Sequence, residues 1–269
     1  MKKKTEKISK IKKKTKKHFS KKIKTKKTTK APPKRISTGI PNLDKLIEGG
    51  FEYNSTNTLV GGAGSGKSIF ATQFLVEGMK KGEKCLYVTF EEKKNGFYKN
   101  MLEFNWDLEE YEKKGLFIFL EYTPAKVKTM LEEGGGTIES IVITKKITRM
   151  VIDSITSFAL LFEDELERRE AALALFNMIR KWSCTSLLTI EEEPLADQRT
   201  TAKPLEFESD SIILLYFIRE KGQRKRYLEV LKMRGTKHSK NVYPFHIKEK
   251  KGIEVEKKPS KGLQIDTTR

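Results

Sequence analysis

Residues 61 to 68 read GGAGSGKS, a match to G-x-x-x-x-G-K-[ST]. Glycines at this spacing let successive backbone N–H groups close around phosphate oxygens, while the lysine adds a point charge and the hydroxyl can ligate a divalent cation. The β-rich run TNTLV (56 to 60) precedes the loop and the helical pattern SIFATQFLVEGMK follows it. The loop therefore opens a helix, whose N-terminus adds partial positive charge. Lys67 is expected at the β- and γ-phosphates and Ser68 at Mg²⁺. Gly61, Gly62, Ala63, Gly64, Ser65, Gly66 and Ile69 complete the cradle, and the ligand implied is a nucleotide with Mg²⁺.

Such a loop needs carboxylates near it. RMVIDS ends an apolar run with Asp153, placed to hold Mg²⁺ through its water shell. YVTFEE ends another run with Glu91 and Glu92, and a carboxylate there can orient and polarise an attacking water. Side chains alternate along a strand, so one of the two should face the nucleotide better; Glu91 is the first choice. Farther on, LKMRGTKHS (231 to 239) packs Lys232, Arg234, Lys237 and His238 around one glycine.

The elements that must position these groups are legible as short apolar runs. TNTLV, CLYVTF, LFIFLE, RMVID, SLLTI and SIILLYF are continuous rather than alternating, as strands buried on both faces of a mainly parallel sheet are. Between them LERREAALALFNMIRKW (166 to 182) sets Leu166, Leu173, Phe176 and Ile179 at helical spacing, predicting one stripe packed on the sheet. Alternating strand and helix gives an α/β, doubly wound architecture with ligands beyond the carboxyl ends of the strands. After it come two strands around Lys-Gly-Gln-Arg, then VYPFHI and GIEVE, which predict a β-rich, antiparallel finish.

Of 269 residues, the first 35 carry 18 lysines and arginines against one acid, Glu6, and hold nearly all of the net +19. With so few large apolar residues this Lys-rich arm is expected to be disordered. Two readings stand side by side, a solvated arm that aids solubility and a weak electrostatic contact for nucleic acid or another polyanion. Residues 36 to 250 are expected to form the domain and 251 to 269 a short extension. Cys85 and Cys184 lie in apolar stretches, which excludes a disulfide framework and suits a reducing cytoplasm. No run reaches the ~18 apolar residues of a membrane span.

Taken together, STGIPNLDKLIEGG, GGAGSGKS, TFEE, RMVIDSITSF, LLTIEEE and KMRGTKHSKNVYPFHI resemble RecA-superfamily ATPases of the KaiC type, especially single-domain archaeal KaiC-like proteins. The resemblance spans about residues 36 to 248. It implies a RecA-like P-loop NTPase core, Mg²⁺-dependent ATP hydrolysis and a homo-oligomeric ring, usually a hexamer, with nucleotide clamped between neighbours. The family's paired glutamates match Glu91 and Glu92, and its Walker B aspartate matches Asp153. Its trans-acting lysine and arginine fall on Lys232 and Arg234, which would hold the γ-phosphate on the adjacent subunit as an arginine finger does. His238 matches a family histidine at the nucleotide. Thr200 and Thr201 stand where a second KaiC domain is autophosphorylated, but their surroundings differ, so plain hydrolysis is expected.

A switch or motor acting on an unknown partner is one class of function. The other is an ATP-binding recombinase-like or archaellum-accessory protein that contacts nucleic acid or an assembly with little hydrolysis. Glu91 and Glu92 favour the first; Arg199 and Lys203, in the loop before SIILLYF, are thin support for a DNA-binding loop.

Overall fold

The computed structural model describes residues 34–123, 126, 129, 136–159, 161–162, 164–194, 208–220 and 222–261. The basic segment to residue 33 and Arg199, Thr200, Thr201 and Lys203 lie outside the described residues.

Two short strands, β1 (Arg35–Ile36) and β2 (Phe51–Glu52), pair antiparallel ahead of the main sheet, with helix α1 (Leu43–Leu46) between them. The arm boundary read at residue 35 thus falls inside β1. Lys34 lies 4.5 Å over the Tyr53 ring and Arg35 reaches Glu48 and the Gly50 carbonyl, so these two bases serve the domain rather than the arm.

The six apolar runs all become strands of one sheet: β3 (Thr56–Gly61), β4 (Cys85–Thr89), β5 (Phe117–Glu121), β6 (Arg149–Asp153), β7 (Thr185–Glu191) and β8 (Ser211–Glu220). Three more follow, β9 (Gln223–Met233), β10 (Val242–Lys248) and β11 (Gly252–Val255), giving the order β11-β10-β9-β8-β3-β7-β6-β4-β5. Strands β8 to β5 are parallel and β9 to β11 antiparallel. Residues 252 to 255 are therefore the sheet's edge, and the domain boundary expected at 250 lies inside its last hairpin.

Continuous apolar runs are explained by cores on both faces. Leu59, Tyr87, Val151 and Leu187 join one cluster while their neighbours Val60, Val88, Ile152 and Leu188 join the other, the period-2 alternation of a pleated strand. The first face is covered by α2 (Lys67–Lys80), α3 (Lys94–Leu102) and α4 (Leu108–Lys113), through Phe70, Phe74, Phe97, Met101 and Leu108. The second is covered by α5 (Gly136–Lys145) and, after the short α6 (Thr156–Ala159), by α7 (Glu165–Lys181). Asp164 caps α7, accepting from the N–H groups of Leu166 and Glu167 at 2.8 and 3.1 Å, and thereby satisfies two otherwise orphaned donors.

One expectation about α7 fails. Ala172, Leu175, Phe176 and Ile179 form its buried stripe, but Leu166 and Leu173 are 65% and 45% exposed. Each residue turns the helix by about 100°, so Leu173, next to buried Ala172, falls off the stripe.

At the amino end of β6, Arg149 is 1% exposed and makes a bidentate pair with Glu83 at 2.8 and 2.9 Å. It also donates to the carbonyls of Ser37 and Phe74, tying the chain entering the domain to α2 and β6. Gly78 leaves room for it, since a Cβ there would lie 2.5 Å from Arg149 Nε. The guanidinium holds the Glu83 carboxyl below its ordinary pKa.

The β8–β9 pairing contains a bulge. Ile213 faces Val230 and Ile212 faces Lys232, leaving Leu231 as the extra residue. Val230 and Met233, three positions apart, consequently join the same cluster, which a regular strand does not permit. Cys85 and Cys184 are buried and free, their thiol pKa values raised by burial.

Candidate functional site

The parallel strands deliver Gly61, Thr89, Asp153 and Glu191 to one edge of the sheet, where a crevice forms beyond the carboxyl ends. From Gly61 the chain turns through the loop with Gly64 at φ 73° and Gly66 at φ 104°, left-handed conformations that glycine adopts without strain. Gly66 then opens α2, its carbonyl accepting from Phe70 N at 2.9 Å. A Cβ on Gly62 would lie 1.8 Å from the Glu193 carboxylate. Lys67 is 7% exposed; its Nζ donates to the Gly62 carbonyl at 3.0 Å and lies 3.7 Å from Glu191 Oε2.

Ala63, Gly64, Gly66, Lys67, Ser68 and Ile69 line a cleft of about 420 Å³. Gly61, Gly62 and Ser65 form the loop's base. Opposite the loop, Glu91, Glu92 and Asp153 line the same cleft. Asp153 is 7% exposed; Tyr87 donates to its Oδ2 at 2.5 Å and Thr189 donates to its Oδ1. The Tyr87 phenol is pushed well above its ordinary pKa, first by burial and then by the Asp153 carboxylate.

Strand β4 ends at Thr89, and the Thr89 hydroxyl accepts from both Glu91 N and Glu92 N, at 3.2 and 3.0 Å. Strand alternation thus does not select between the two glutamates, because neither continues the strand. Glu91 accepts from the Ser157 hydroxyl at 2.8 Å. Burial, followed by the charges of Asp153 and Glu91, raises the Glu92 carboxyl above its ordinary pKa.

Several lining residues escaped the sequence reading. Arg226 of β9 donates through Nε and Nη2 to the Gly64 carbonyl at 3.2 and 3.0 Å, and its guanidinium lies 4.2 Å over the Phe217 ring. Ile247 of β10, Ser154 and Glu191 also line the cleft. Their signal is faint because they sit in strands or turns of ordinary composition; only the acidic run LTIEEE hinted at Glu191.

Lys232, Arg234 and His238 are not brought there. Because β9 runs antiparallel to β8, it starts beside the phosphate loop and ends at the amino end of the parallel strands. Arg234 N donates to the Asp210 carbonyl at 2.8 Å, Asp210 Oδ1 accepts from Arg234 Nη1 at 3.3 Å, and Asp210 pairs with Thr56 at the start of β3. Eight residues of strand separate Arg226 from Arg234, a span of about 26 Å.

The residues fit a magnesium nucleotide. Ser65 Oγ is buried without a hydrogen-bond partner, the glycines leave a cradle that a Cβ would fill, and Lys67 supplies the matching charge. Ser68 and Asp153 would hold Mg²⁺ alongside phosphate oxygens. Among the described residues no group of three His, Cys, Asp or Glu could hold a metal by itself. No helix of the described residues is long and apolar enough to cross a membrane.

Comparison with known proteins agrees with this architecture. A family model described as "ATPase: KaiC" matches residues 36–260. The chain is 32% identical over 229 residues to "Circadian clock protein KaiC3" of Synechocystis sp., covering 82% of this chain but 45% of that protein. It thus spans less than half of that relative's length. It is 32% identical to "UPF0273 protein PH0284" of Pyrococcus horikoshii, covering 81% of this chain and 92% of the other. The crystal structure of KaiC-like protein PH0186 from Pyrococcus horikoshii superposes with a TM-score of 0.74 at 36% identity, covering 84% of this chain and all of that one.

Proposed function

The chain belongs to the KaiC family of ATPases, and from that premise we propose that it binds ATP with Mg²⁺ and hydrolyses it at a site completed by a second copy of itself. The observation that carries the reading is convergence: the phosphate loop, Asp153, Glu91 and Glu92 arrive from three strands at one cleft. Lys67 and the loop N–H groups bind the phosphates, and Ser68 and Asp153 hold the cation. When bound, Mg²⁺ supplies charge neutralisation at the phosphates. Glu91 remains the first choice for orienting the attacking water, with Glu92 beside it as the second candidate.

Lys232 and Arg234 enter as the neighbour's contribution. What supports this is their place at the opposite edge of the sheet from their own loop, on a turn with the Arg234 side chain 51% exposed. A γ-phosphate at a subunit edge is suited by a planar guanidinium together with a compact ammonium, and His238 belongs to the same turn. A contact of this kind is head-to-tail, and we take it to close into a ring of about six copies acting as a nucleotide-driven switch or motor. Mass in solution with and without ATP and Mg²⁺, followed by turnover in the same samples, tests the reading. Nucleotide-dependent assembly with turnover is the expected result; tight ATP binding without either would favour a binding protein.

A further inference from the structure

Strand order places β6 between β7 and β4, and Asp153, at the end of β6, is held from both. Thr189 of β7 donates to one carboxylate oxygen and Tyr87 of β4 to the other. A carboxylate pinned on both oxygens from opposite sides has a fixed plane, and its remaining lone pairs are fixed toward the cleft that Asp153 lines. Tyr87 cannot drift from this post: it is fully buried, its ring stacks on Phe119 at 5.6 Å and 13°, and it packs against Phe97 at 4.6 Å. The aromatic residues beneath the site thus set the height of one hydroxyl, and that hydroxyl sets the aspartate. Apolar packing alone would be met equally by phenylalanine, whose ring has the same shape. A buried hydroxyl instead requires a partner, and the partner here is the one carboxylate placed to serve the cation.

We infer that Tyr87 is a positioning residue for the divalent cation, fixing the Asp153 carboxylate from the side opposite Thr189 and so setting cation affinity rather than nucleotide affinity. The inference rests on the magnesium-nucleotide reading of the cleft. Groups that orient a metal-binding side chain typically change metal affinity by about 10- to 100-fold when removed.

The test uses full-length protein and a fluorescent ATP analogue, with binding measured in EDTA and then against rising Mg²⁺, and with Mn²⁺ uptake followed by electron paramagnetic resonance. For Tyr87→Phe the affinity in EDTA should stay within about twofold of wild type, while the Mg²⁺ or Mn²⁺ needed for half-saturation rises about tenfold or more. Thr189→Val should move the same quantity in the same direction, and Thr189→Ser, which keeps the hydroxyl, should restore it; this pair carries the test if Tyr87→Phe does not fold. A folded Tyr87→Phe protein with wild-type cation dependence overturns the inference and leaves the nucleotide reading standing. So does an equal loss of affinity with and without cation, which would make the phenol a support of the loop. Absence of any cation-dependent nucleotide binding in the wild type would overturn both.

Discussion

Lys67 and Arg226 hold two carbonyls of the same loop: the ammonium donates to the Gly62 carbonyl at 3.0 Å and the guanidinium to the Gly64 carbonyl at 3.0 and 3.2 Å. They lie 159 positions apart in sequence and belong to different layers of the fold, α2 and the outer hairpin. Lys67→Ala should lower ATP affinity about 100-fold and leave the fold intact, because a charge-assisted phosphate contact of up to about 3 kcal/mol is lost. Arg226→Ala should cost about tenfold by loosening the loop. Calorimetric titration with circular dichroism as a fold control checks both, and undiminished affinity in the lysine variant removes the phosphate-loop reading.

Glu91→Gln should retain nucleotide binding and reduce turnover by about 10²- to 10⁴-fold, the usual range for loss of a positioned base. The same substitution at Glu92 is the control that separates the pair. Steady-state phosphate release measures both, and normal turnover in each of them means that another group orients the water.

Arg234→Ala should slow turnover by about 10³-fold or more, with ATP affinity changed far less. Mixing it with Lys67→Ala then tests for action between copies, since each inactive protein retains the part that the other lacks. Mixed assemblies, verified by native mass measurement, should recover part of the activity. Verified mixing with no recovery would place the turn outside catalysis.

The Glu83–Arg149 pair makes a prediction about acid. Its carboxyl has a folded pKa below the unfolded value, so its contribution is full above about pH 4.5 and is lost as pH falls through the lower folded value. Glu83→Gln leaves Arg149 buried with a weaker partner and should cost about 2–3 kcal/mol at neutral pH. Urea titrations at pH 7 and near pH 3 should show the gap between variant and wild type closing in acid; a constant gap would mean that the pair is not ionic.

Deleting residues 1 to 33, which spares Lys34 and β1, should leave turnover near wild type. Binding to a polyanion such as heparin should weaken and lose most of its salt dependence, as 16 lysines leave with the segment. Lost turnover would make the segment part of the catalytic assembly.

How much of this was legible in one dimension follows from what a sequence pattern records. The loop at Gly61 to Ser68 and the run ending at Asp153 announce themselves because their chemistry is local, and six continuous apolar runs became six strands with ends shifted by at most three residues. Tyr87 did not, because an aromatic in a β-rich run reads as core, and only the strand order β7-β6-β4 brings it to Asp153. Arg226 and Ile247 were missed because antiparallel pairing, which no local pattern encodes, decides which end of a late strand returns to the loop. Leu166 and Leu173 misled through phase: seven residues apart they share a line on the helix, but that line is not the one that meets the sheet.

The bulge at Leu231 decides which face of β9 carries Lys232. With regular pairing Lys232 would stand opposite Ser211 on the face that Val230 and Met233 share; the one surplus residue sets it opposite Ile212, on the reverse face. Removing Leu231 would therefore leave Lys232 opposite Ile212 and Met233 opposite Ser211 in an unbroken ladder, whereas a strand that kept Leu231 but lost the bulge would exchange their facings. In homologous chains the facing of the cationic turn is thus carried by whether a surplus residue ahead of the lysine is absorbed by a bulge, a trait of pairing that comparison of residue identities alone does not record.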